Sequence, residues 1–410
     1  MAGGGLSEPR LEHMRAMMRG FVERGELPGL VLVLERRGET VVEAFGGFEP
    51  DGQGPPLRRD ALFRIASLSK PLLAAATLLL VEDGTLRLED SVEGLLPELA
   101  DRRVLTSPDA PLTETVPAER PILVRDLLTF TSGYGLPLAP PGTWPIQRAL
   151  EERRLGQGPT APSVPPAPDE WIRLLGELPL LHQPGSRWAY HTGADILGVL
   201  LARAGGLSLD KLLRERLFDP LGMVDTGFSV PPDQAHRLPP EYAADHSAGP
   251  GSGGLIRYDP GGAAGQWSRP PAFPSGGGGL VSTVDDYLAF ARMLLRRGLH
   301  RGERLLSRPA VAAMTADQLT AEQKRATTPL VPGFFDQRGW GLGLSVVTGR
   351  GGPSASPGTF GWDGALGTRW YSDPAEDLTL MLFTQLAWSS AAPPPAFATF
   401  WNLAYAALDD

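Results

Sequence analysis

The chain has 410 residues, 42% of them hydrophobic and 21% charged, so it is long enough to bury a large core and to form two lobes. Its net charge of −9 and the lack of a basic stripe argue against a nucleic-acid partner. Because it contains no cysteine, disulfide bridges and thiolate metal sites are excluded.

Membrane segments are not expected either. The N-terminus lacks the apolar stretch of a signal peptide, and the apolar run at residues 72–81 is too short to span a bilayer. We therefore expect a cytoplasmic protein without a membrane partner.

The first two thirds of the chain are predicted to contain one helix, then a pair of strands, and then mostly helices. An amphipathic helix is predicted over residues 8–26, followed by a hairpin of strands at 31–36 and 40–45. The middle is predicted to be helical, with long proline- and glycine-rich loops at 135–170 and 231–279.

Strand patterns return near the C-terminus. The predicted elements are strands at 341–347, 368–372 and 378–384 and a closing helix at 396–408. Strands at both ends with helices between them predict a discontinuous sheet domain, 1–66 plus 276–410. A mostly helical domain, 67–275, is then inserted into it.

Lysine is rare in this arginine-rich chain, since only Lys70, Lys211 and Lys324 occur among 38 basic residues. Lys70 lies three residues after Ser67, at the start of the helix predicted from the apolar run at 72–81. This spacing puts both side chains on one helical face, and an amine, unlike a guanidinium, can lose its proton and deprotonate a serine. The pattern favours a nucleophile and its base; a surface serine–lysine pair is the alternative.

Two later segments supply candidates for the remaining chemistry. Tyr190 follows a Pro-Gly turn and precedes an apolar helix. A phenol near cations could have its pKa lowered and shuttle protons, unless this is a loop tyrosine packed on Trp188. Small residues surround Trp362 within 360–368, as in a strand that offers a backbone N–H to a substrate carbonyl, or in an ordinary tight turn.

Other catalytic classes find no support. No Gly-x-Ser-x-Gly elbow occurs, which disfavours a Ser-His-Asp hydrolase. The six histidines lack the spacing of a metal site, and no phosphate-binding glycine motif follows a strand. We expect no metal and no cofactor. His191 is expected to point away or pack rather than catalyse, and Asp195 to be structural.

Six spaced motifs resemble those of the serine β-lactamase/penicillin-recognising superfamily, in particular its family VIII carboxylesterases and related acyltransferases. The motifs are Ser67-Leu68-Ser69-Lys70, Leu127-Leu128-Thr129-Phe130-Thr131-Ser132-Gly133, Tyr190-His191-Thr192, Asp219-Pro220-Leu221-Gly222-Met223, Gly278-Gly279-Leu280-Val281-Ser282-Thr283 and Gly361-Trp362-Asp363-Gly364. The resemblance implies an α/β, β-lactamase/transpeptidase-like fold, in which an antiparallel sheet flanked by helices is joined by a mostly helical second domain.

The resemblance also assigns roles to individual residues. It implies that Ser67 is the nucleophile, Lys70 its base and Tyr190 a second acid/base. The N–H groups of Ser67 and Ala365 would form the oxyanion hole.

Departures from the superfamily pattern bear on the substrate. Trp362 stands where β-lactamases and peptidases usually have a cation that holds a substrate carboxylate, and Thr192 replaces the usual asparagine. Asp363 would disfavour anionic substrates, whereas Arg369 could restore a cation. The candidate substrate-binding residues are Tyr134, Thr192, Trp362, Asp363, Gly364 and Arg369.

The expected activity is hydrolysis of small carboxylic esters through an acyl-enzyme, with a small ester or acyl donor as the partner. An acyltransferase that passes the acyl group to an alcohol or amine is the alternative. A further alternative is a β-lactamase or D-alanyl peptidase, or a non-catalytic penicillin-binding-type module. The intact set of Ser67, Lys70 and Tyr190 argues against a non-catalytic module.

Overall fold

The computed structural model describes the chain except for short gaps, over residues 3–52, 54–156, 161–245, 254–328, 332–352 and 354–409. Its helices are α1 (Glu8–Glu23), α2 (Ser69–Glu82), α3 (Val124–Thr129), α4 (Pro145–Glu152), α5 (Pro168–Gly176), α6 (Thr192–Gly205), α7 (Leu209–Leu213), α8 (Asp219–Leu221), α9 (Val284–Leu295), α10 (Arg308–Met314), α11 (Ala321–Ala326) and α12 (Pro395–Ala406). Its strands are β1 (Gly29–Arg36), β2 (Glu39–Gly46), β3 (Phe63–Arg64), β4 (Arg103–Leu105), β5 (Thr115–Pro117), β6 (Glu241–Ala244), β7 (Leu255–Asp259), β8 (Val281–Ser282), β9 (Leu299–His300), β10 (Glu303–Arg304), β11 (Arg338–Trp340), β12 (Ser345–Val347), β13 (Phe360–Gly364), β14 (Thr368–Asp373) and β15 (Leu378–Thr384).

Both ends of the chain build one antiparallel sheet of seven strands. Its order is β11-β12-β13-β14-β15-β1-β2, so the N-terminal hairpin joins the C-terminal strands through the β1–β15 pair. Every residue of β1 and β15 is buried, because both faces of the sheet are covered. The domain boundaries given above stay a prediction.

Alternation along the strands divides the core into two layers. Leu30, Leu32 and Leu34 of β1 face a cluster that includes α1 and α12. Val31 and Val33 face the larger cluster, which extends through α2 and the helical part of the chain. Neighbouring residues of one strand therefore serve different layers.

The observed elements follow the predicted ones most closely where the hydrophobic pattern is strong. The hairpin, β14, β15 and the closing helix are confirmed within a few residues. Of the strand predicted at 341–347, only residues 345–347 form a strand, β12. Gly343, with a φ of 76°, lies in the turn that separates β12 from β11. The two predicted loops also contain regular structure, namely α4 and α5 in the first and the β6–β7 hairpin in the second, apart from the undescribed residues 157–160 and 246–253.

Helix α2 runs through the interior and carries the Ser-x-x-Lys segment at its start. A single 3₁₀ turn, Ala66–Leu68, precedes it, and Pro71 lies in its first turn, where proline is tolerated. The helix is apolar on all sides and is buried from Ser69 to Leu80. None of the helices in the described ranges has the length and apolar character that a bilayer crossing requires.

Candidate active site

A strained turn presents Ser67. The preceding residue, Ala66, has a φ of 46°, which costs a non-glycine residue about 1 kcal/mol. Hydrogen bonds hold this turn: Ile65 N–H donates to Leu280 O at 3.0 Å, and Ser69 Oγ donates to Ala66 O at 2.7 Å. The side chain of Ser67 is thereby fixed in a site where the residue is only 8% exposed.

Lys70 is buried beside the serine. Its Nζ lies 2.9 Å from Ser67 Oγ and also contacts the backbone oxygen of Gly277. Burial lowers the pKa of Lys70 to about 7, although the negative charge of Asp195 opposes the shift. At neutral pH a large fraction of Lys70 is therefore uncharged and able to accept the serine proton.

Tyr190 contacts both Ser67 and Lys70. Trp362 Nε1–H donates to Tyr190 Oη at 2.7 Å, and Lys70 Nζ is 4.8 Å from the centre of the phenol ring. Burial raises the pKa of Tyr190 well above its usual value, and hydrogen bonds with Ser67 and Trp362 oppose this only in part. The prediction of a lowered phenol pKa is therefore wrong, because desolvation outweighs the hydrogen bonds that oppose it. Tyr190 keeps its proton and can donate it.

Aromatic rings enclose the phenol. We call Phe130, Trp188, Phe334, Trp340 and Trp362 the aromatic enclosure. Tyr190 stacks on Trp188 at 5.4 Å, and Trp340 meets Trp362 edge to face at 4.7 Å. Such packing fixes the ring positions and keeps the site apolar, which is the physical cause of the raised phenol pKa. Trp362, a predicted substrate-binding residue, belongs to this enclosure.

His191 and Asp195 extend the polar network behind Lys70. His191 Nδ1 lies 3.3 Å from Lys70 Nζ, and His191 Nε2 lies 3.3 Å from Asp195 Oδ2. Asp195 Oδ1 accepts hydrogen bonds from Ser275 Oγ at 2.6 Å and Gly277 N–H at 2.9 Å. The prediction that His191 points away is wrong. The aspartate four residues later was a sequence signal for a His191–Asp195 pair, but not for the contact with Lys70.

The backbone at His191 is also strained. With φ 86° and ψ −68°, this residue is the centre of a γ-turn, in which Thr192 N–H donates to Tyr190 O at 3.3 Å. The turn lets Tyr190 and His191, which are consecutive, approach Lys70 from different directions. Strain of this kind is characteristic of functional sites.

Burial and hydrogen bonding control the charges of His191 and Asp195. Burial and the charge of Lys70 lower the pKa of His191, so the imidazole stays neutral. Burial opposes ionisation of Asp195, but the hydrogen bonds from His191, Ser275 and Gly277 outweigh it and lower its pKa. Among the described residues, no group of three or more His, Cys, Asp or Glu side chains could hold a metal ion.

The end of β13 lies against the turn that carries Ser67. A Cβ on Gly364 would lie inside van der Waals contact of Ile65 O, so only glycine permits this approach. Thr368 Oγ1 donates to the same oxygen at 3.1 Å. The exposed Ala365 follows in the turn to β14. The oxyanion hole of Ser67 and Ala365 N–H groups stays a prediction.

Asp363 and Arg369 do not join the group of side chains around Ser67 and Lys70. They pair across β13 and β14, with Arg369 Nε–Asp363 Oδ1 at 2.5 Å and Nη2–Oδ2 at 2.9 Å. The guanidinium lies over the rings of Trp388 and Trp401. Because Trp362 and Asp363 are neighbours on one strand, they face opposite sides of the sheet. Asp363 was expected to present a free carboxylate to the substrate. Instead it is paired with Arg369 on the face of the sheet opposite Trp362.

Tyr134 and Thr192 lie in the core of the helical part of the chain. Together with Leu150 and Leu175 they line a small apolar void. Tyr134 Oη is 3.5 Å from Leu175 O, and Thr192 occupies the first turn of α6. Their contribution to substrate binding stays a prediction.

Comparisons with known proteins identify the family and the fold of the chain. The sequence matches the beta-lactamase family model over residues 14–396. It is 40% identical over 380 residues to Protein Rv1367c of Mycobacterium tuberculosis, covering 92% of this chain and 90% of that protein. It is 31% identical over 387 residues to Esterase EstB of Burkholderia gladioli, covering 91% of this chain and 89% of the esterase.

A solved structure shares the fold. Unliganded simvastatin synthase (LovD) from Aspergillus terreus superimposes with a TM-score of 0.77 at 25% identity, over 98% of this chain and 99% of that one. The predicted β-lactamase-like fold, with its large antiparallel sheet flanked by helices, is confirmed. Since the family model spans all but the two ends of the sequence, the chain belongs to the beta-lactamase family.

Proposed function

We propose that this protein is a serine carboxylesterase, which forms an acyl-enzyme on small neutral esters and releases the acyl group to water. The observation that carries the proposal is the 2.9 Å contact between Ser67 Oγ and a lysine whose pKa burial lowers to about 7. The family of the chain and its similarity to an esterase support a serine hydrolase or acyl-transfer enzyme.

The geometry supports a two-stage acyl transfer. Lys70 takes the proton of Ser67 as Oγ attacks the ester carbonyl, and the N–H groups of Ser67 and Ala365 are the expected donors to the oxyanion. Tyr190, which is neutral, donates its proton to the departing alkoxide and is reprotonated from Lys70. Water then attacks the acyl-enzyme by the reverse sequence of proton transfers, which frees the acid and restores Ser67.

Acylation of Ser67 is directly testable. Incubation with p-nitrophenyl butyrate should give a burst of nitrophenol or a mass increase equal to one butyryl group, located on the peptide that contains Ser67. Ser67→Ala should abolish both signals, whereas Ser107→Ala, at an exposed position, should keep the adduct. Full esterase activity in Ser67→Ala would refute the proposal.

The substrate preference follows from the aromatic enclosure. Trp362 offers the substrate an indole instead of a cation, and Arg369 is held by Asp363 on the opposite face of the sheet. A penicillin carboxylate would lose hydration without gaining a partner, which costs several kcal/mol.

We therefore expect neutral p-nitrophenyl esters to exceed nitrocefin in kcat/KM by about a hundredfold or more, which requires only about 3 kcal/mol. Steady-state kinetics on the two substrates measure this ratio. Comparable rates would instead favour the β-lactamase alternative, and Arg369→Ala would then be expected to lower nitrocefin turnover selectively.

Acyl transfer to an alcohol is the second candidate. The observation that favours it is the enclosure of Tyr190 by aromatic rings, because limited water access prolongs the life of an acyl-enzyme. Adding a primary alcohol to the ester assay separates the two activities. A transferase would release nitrophenol faster and form mainly the new ester, whereas a hydrolase would form mainly the free acid.

A further inference from the structure

The amine of Lys70 has three polar neighbours, which match its hydrogen-bonding capacity when uncharged. They are Ser67 Oγ at 2.9 Å, His191 Nδ1 at 3.3 Å and the backbone oxygen of Gly277. A neutral amine has two N–H donors and one lone pair. The chemistry of the site depends on which neighbour faces the lone pair.

Two of the three neighbours can only accept. A backbone oxygen such as that of Gly277 has no proton to donate. If the imidazole proton of His191 is on Nε2, Nδ1 can only accept a hydrogen bond. The carboxylate of Asp195 lies 3.3 Å from Nε2 and can accept a hydrogen bond from the Nε2–H group, which favours this tautomer. The two N–H bonds of Lys70 are then directed to Gly277 and His191, and the lone pair is left for the hydroxyl of Ser67.

We propose that Asp195 and His191 are a positioning pair, which fixes the imidazole tautomer and thereby aims the Lys70 lone pair at Ser67. This inference rests on the proposed function, since it concerns the step in which Lys70 takes the serine proton. No new bond is formed by the pair. Its effect is on orientation, comparable to the way a buried carboxylate sets the tautomer of a catalytic histidine.

The groups around Asp195 determine which of its two oxygens faces His191. Asp195 Oδ1 is already occupied by Ser275 Oγ and Gly277 N–H, so Oδ2 is the oxygen that faces His191. The titratable groups that contact the pair or Lys70 are Ser67, Tyr190 and the pair itself. On another side, His191 and Asp195 line a cavity of about 200 Å³ whose other walls include Trp171 and Phe273, which are apolar.

Asp195→Asn is the informative substitution because it reverses the tautomer. The amide oxygen would keep the bond from Gly277 N–H, so the amide NH₂ would face His191 Nε2 and donate to it. The imidazole proton would then move to Nδ1 and donate to the Lys70 lone pair, which would no longer be available to Ser67. We expect kcat/KM for p-nitrophenyl butyrate to fall by about a hundredfold or more, mainly through kcat.

A second substitution should partly restore the activity. His191→Gly removes the misdirected donor and suits the φ of 86°. The single substitution His191→Gly should lower kcat/KM by about tenfold or less, because Lys70 loses only one hydrogen-bond acceptor. Asp195→Asn combined with His191→Gly should match His191→Gly, so it should be about tenfold more active than Asp195→Asn. A double variant no better than Asp195→Asn would overturn the proposal.

Nitrogen-15 NMR of the histidine side chains tests the tautomer without activity. The His191 resonances, assigned by their loss in His191→Gly, should report a proton on Nε2 in the wild type and on Nδ1 in Asp195→Asn. The same tautomer in both proteins would refute the inference. Asp377→Asn, at an exposed turn, is the matched control and should change neither signal nor rate.

The outcomes separate this inference from the proposed function. If the wild type forms no acyl-enzyme on Ser67, the proposed function fails. If it does, and Asp195→Asn is acylated as fast as the wild type, only the positioning pair fails. Thermal unfolding of each variant identifies any loss of activity that comes from unfolding.

Discussion

Burial acts in opposite directions on the two proton-transfer groups of the site. It lowers the pKa of Lys70 to about 7 and raises that of Tyr190. Near neutral pH the amine can therefore lose a proton while the phenol keeps one, and their environments assign the base and the acid. Both groups contact one serine hydroxyl, so a single apolar environment suits both groups to their proposed roles.

A pH profile should report the titration of Lys70. We expect kcat/KM for a neutral ester to fall about tenfold per pH unit below about pH 7 and to level off above it, because only the uncharged amine accepts the serine proton. Lys70→Arg should be nearly as inactive as Lys70→Ala, since a guanidinium cannot lose its proton.

Stopped-flow or steady-state assays between pH 5 and pH 9, on a substrate that does not titrate in this range, provide the measurement. Lys211→Arg, at a half-exposed surface position, is the control and should keep the wild-type profile. A flat profile, or a Lys70→Arg enzyme with more than about a tenth of the wild-type rate, would mean that Lys70 acts as a fixed cation.

Among the elements, β13 has the most constrained position. Its end touches the turn before Ser67, where Gly364 lies too close to Ile65 O and to the Thr368 side chain for a Cβ to fit. The same strand carries Trp362, whose indole binds the Tyr190 hydroxyl. One short strand therefore sets the distance between the nucleophile, the acid and the predicted oxyanion donor.

We expect Gly364→Ala to separate β13 from the Ser67 turn and to lower kcat by about tenfold or more, because small displacements of reacting groups are costly. Overpacking at this point should also destabilise the fold by about 1–3 kcal/mol. Kinetics and urea unfolding measure the two effects. Gly94→Ala, with no atom within 4 Å of the added Cβ, is the control. Unchanged kcat in Gly364→Ala would show that this contact is irrelevant to catalysis.

The limits of sequence-based prediction are visible in the same elements. The serine–lysine spacing and the unbroken apolar run of α2 are local signals. The buried helix and the contact between Ser67 and Lys70 are confirmed, whereas the catalytic roles of the two residues stay a prediction. The side to which Asp363 points depends on where β13 begins, and this short glycine-containing strand has no alternating pattern to indicate it. The contact of His191 with Lys70 depends on a γ-turn and on the packing of α6 beside α2, which no local pattern encodes.

Across the whole molecule, a buried charge cluster connects the nucleophile segment to the β6–β7 hairpin. Arg64 of β3 forms an ion pair with Asp259 of β7 and lies 3.7 Å from Glu241 of β6, all three being fully buried. Arg64 also donates to Pro239 O at 2.9 Å. One cation thus faces two carboxyl groups, and burial raises the pKa of Glu241 well above its usual value.

The raised pKa of Glu241 makes stability depend on pH. The folded protein keeps a proton that the unfolded chain releases above about pH 4.5, so this stabilisation is present at low pH and is lost as pH rises through the folded pKa. Glu241→Gln, which resembles the protonated form, should be at least as stable as the wild type at pH 8, with a smaller advantage at pH 5.

Asp259→Asn should behave differently, because it leaves Arg64 without its close partner and should cost about 3–5 kcal/mol at neutral pH. Urea unfolding from pH 5 to pH 8 measures all three proteins. The exposed Glu303→Gln is the control. A large loss of stability in Glu241→Gln at pH 8 would show that Glu241 is ionised in the folded protein.

The pairing of β1 with β15 has a consequence for synthesis on the ribosome. Leu34 finds its partner Leu380 only after about 350 further residues have been translated, which takes roughly 20–70 s at ~5–20 residues per second. During that interval β1 has β2 on one side and an unpaired, largely apolar edge on the other, the kind of edge that recruits other chains. The nascent protein therefore depends on its own early helices or on chaperones to cover this edge, and acyl-transfer chemistry cannot begin until the last strands have emerged.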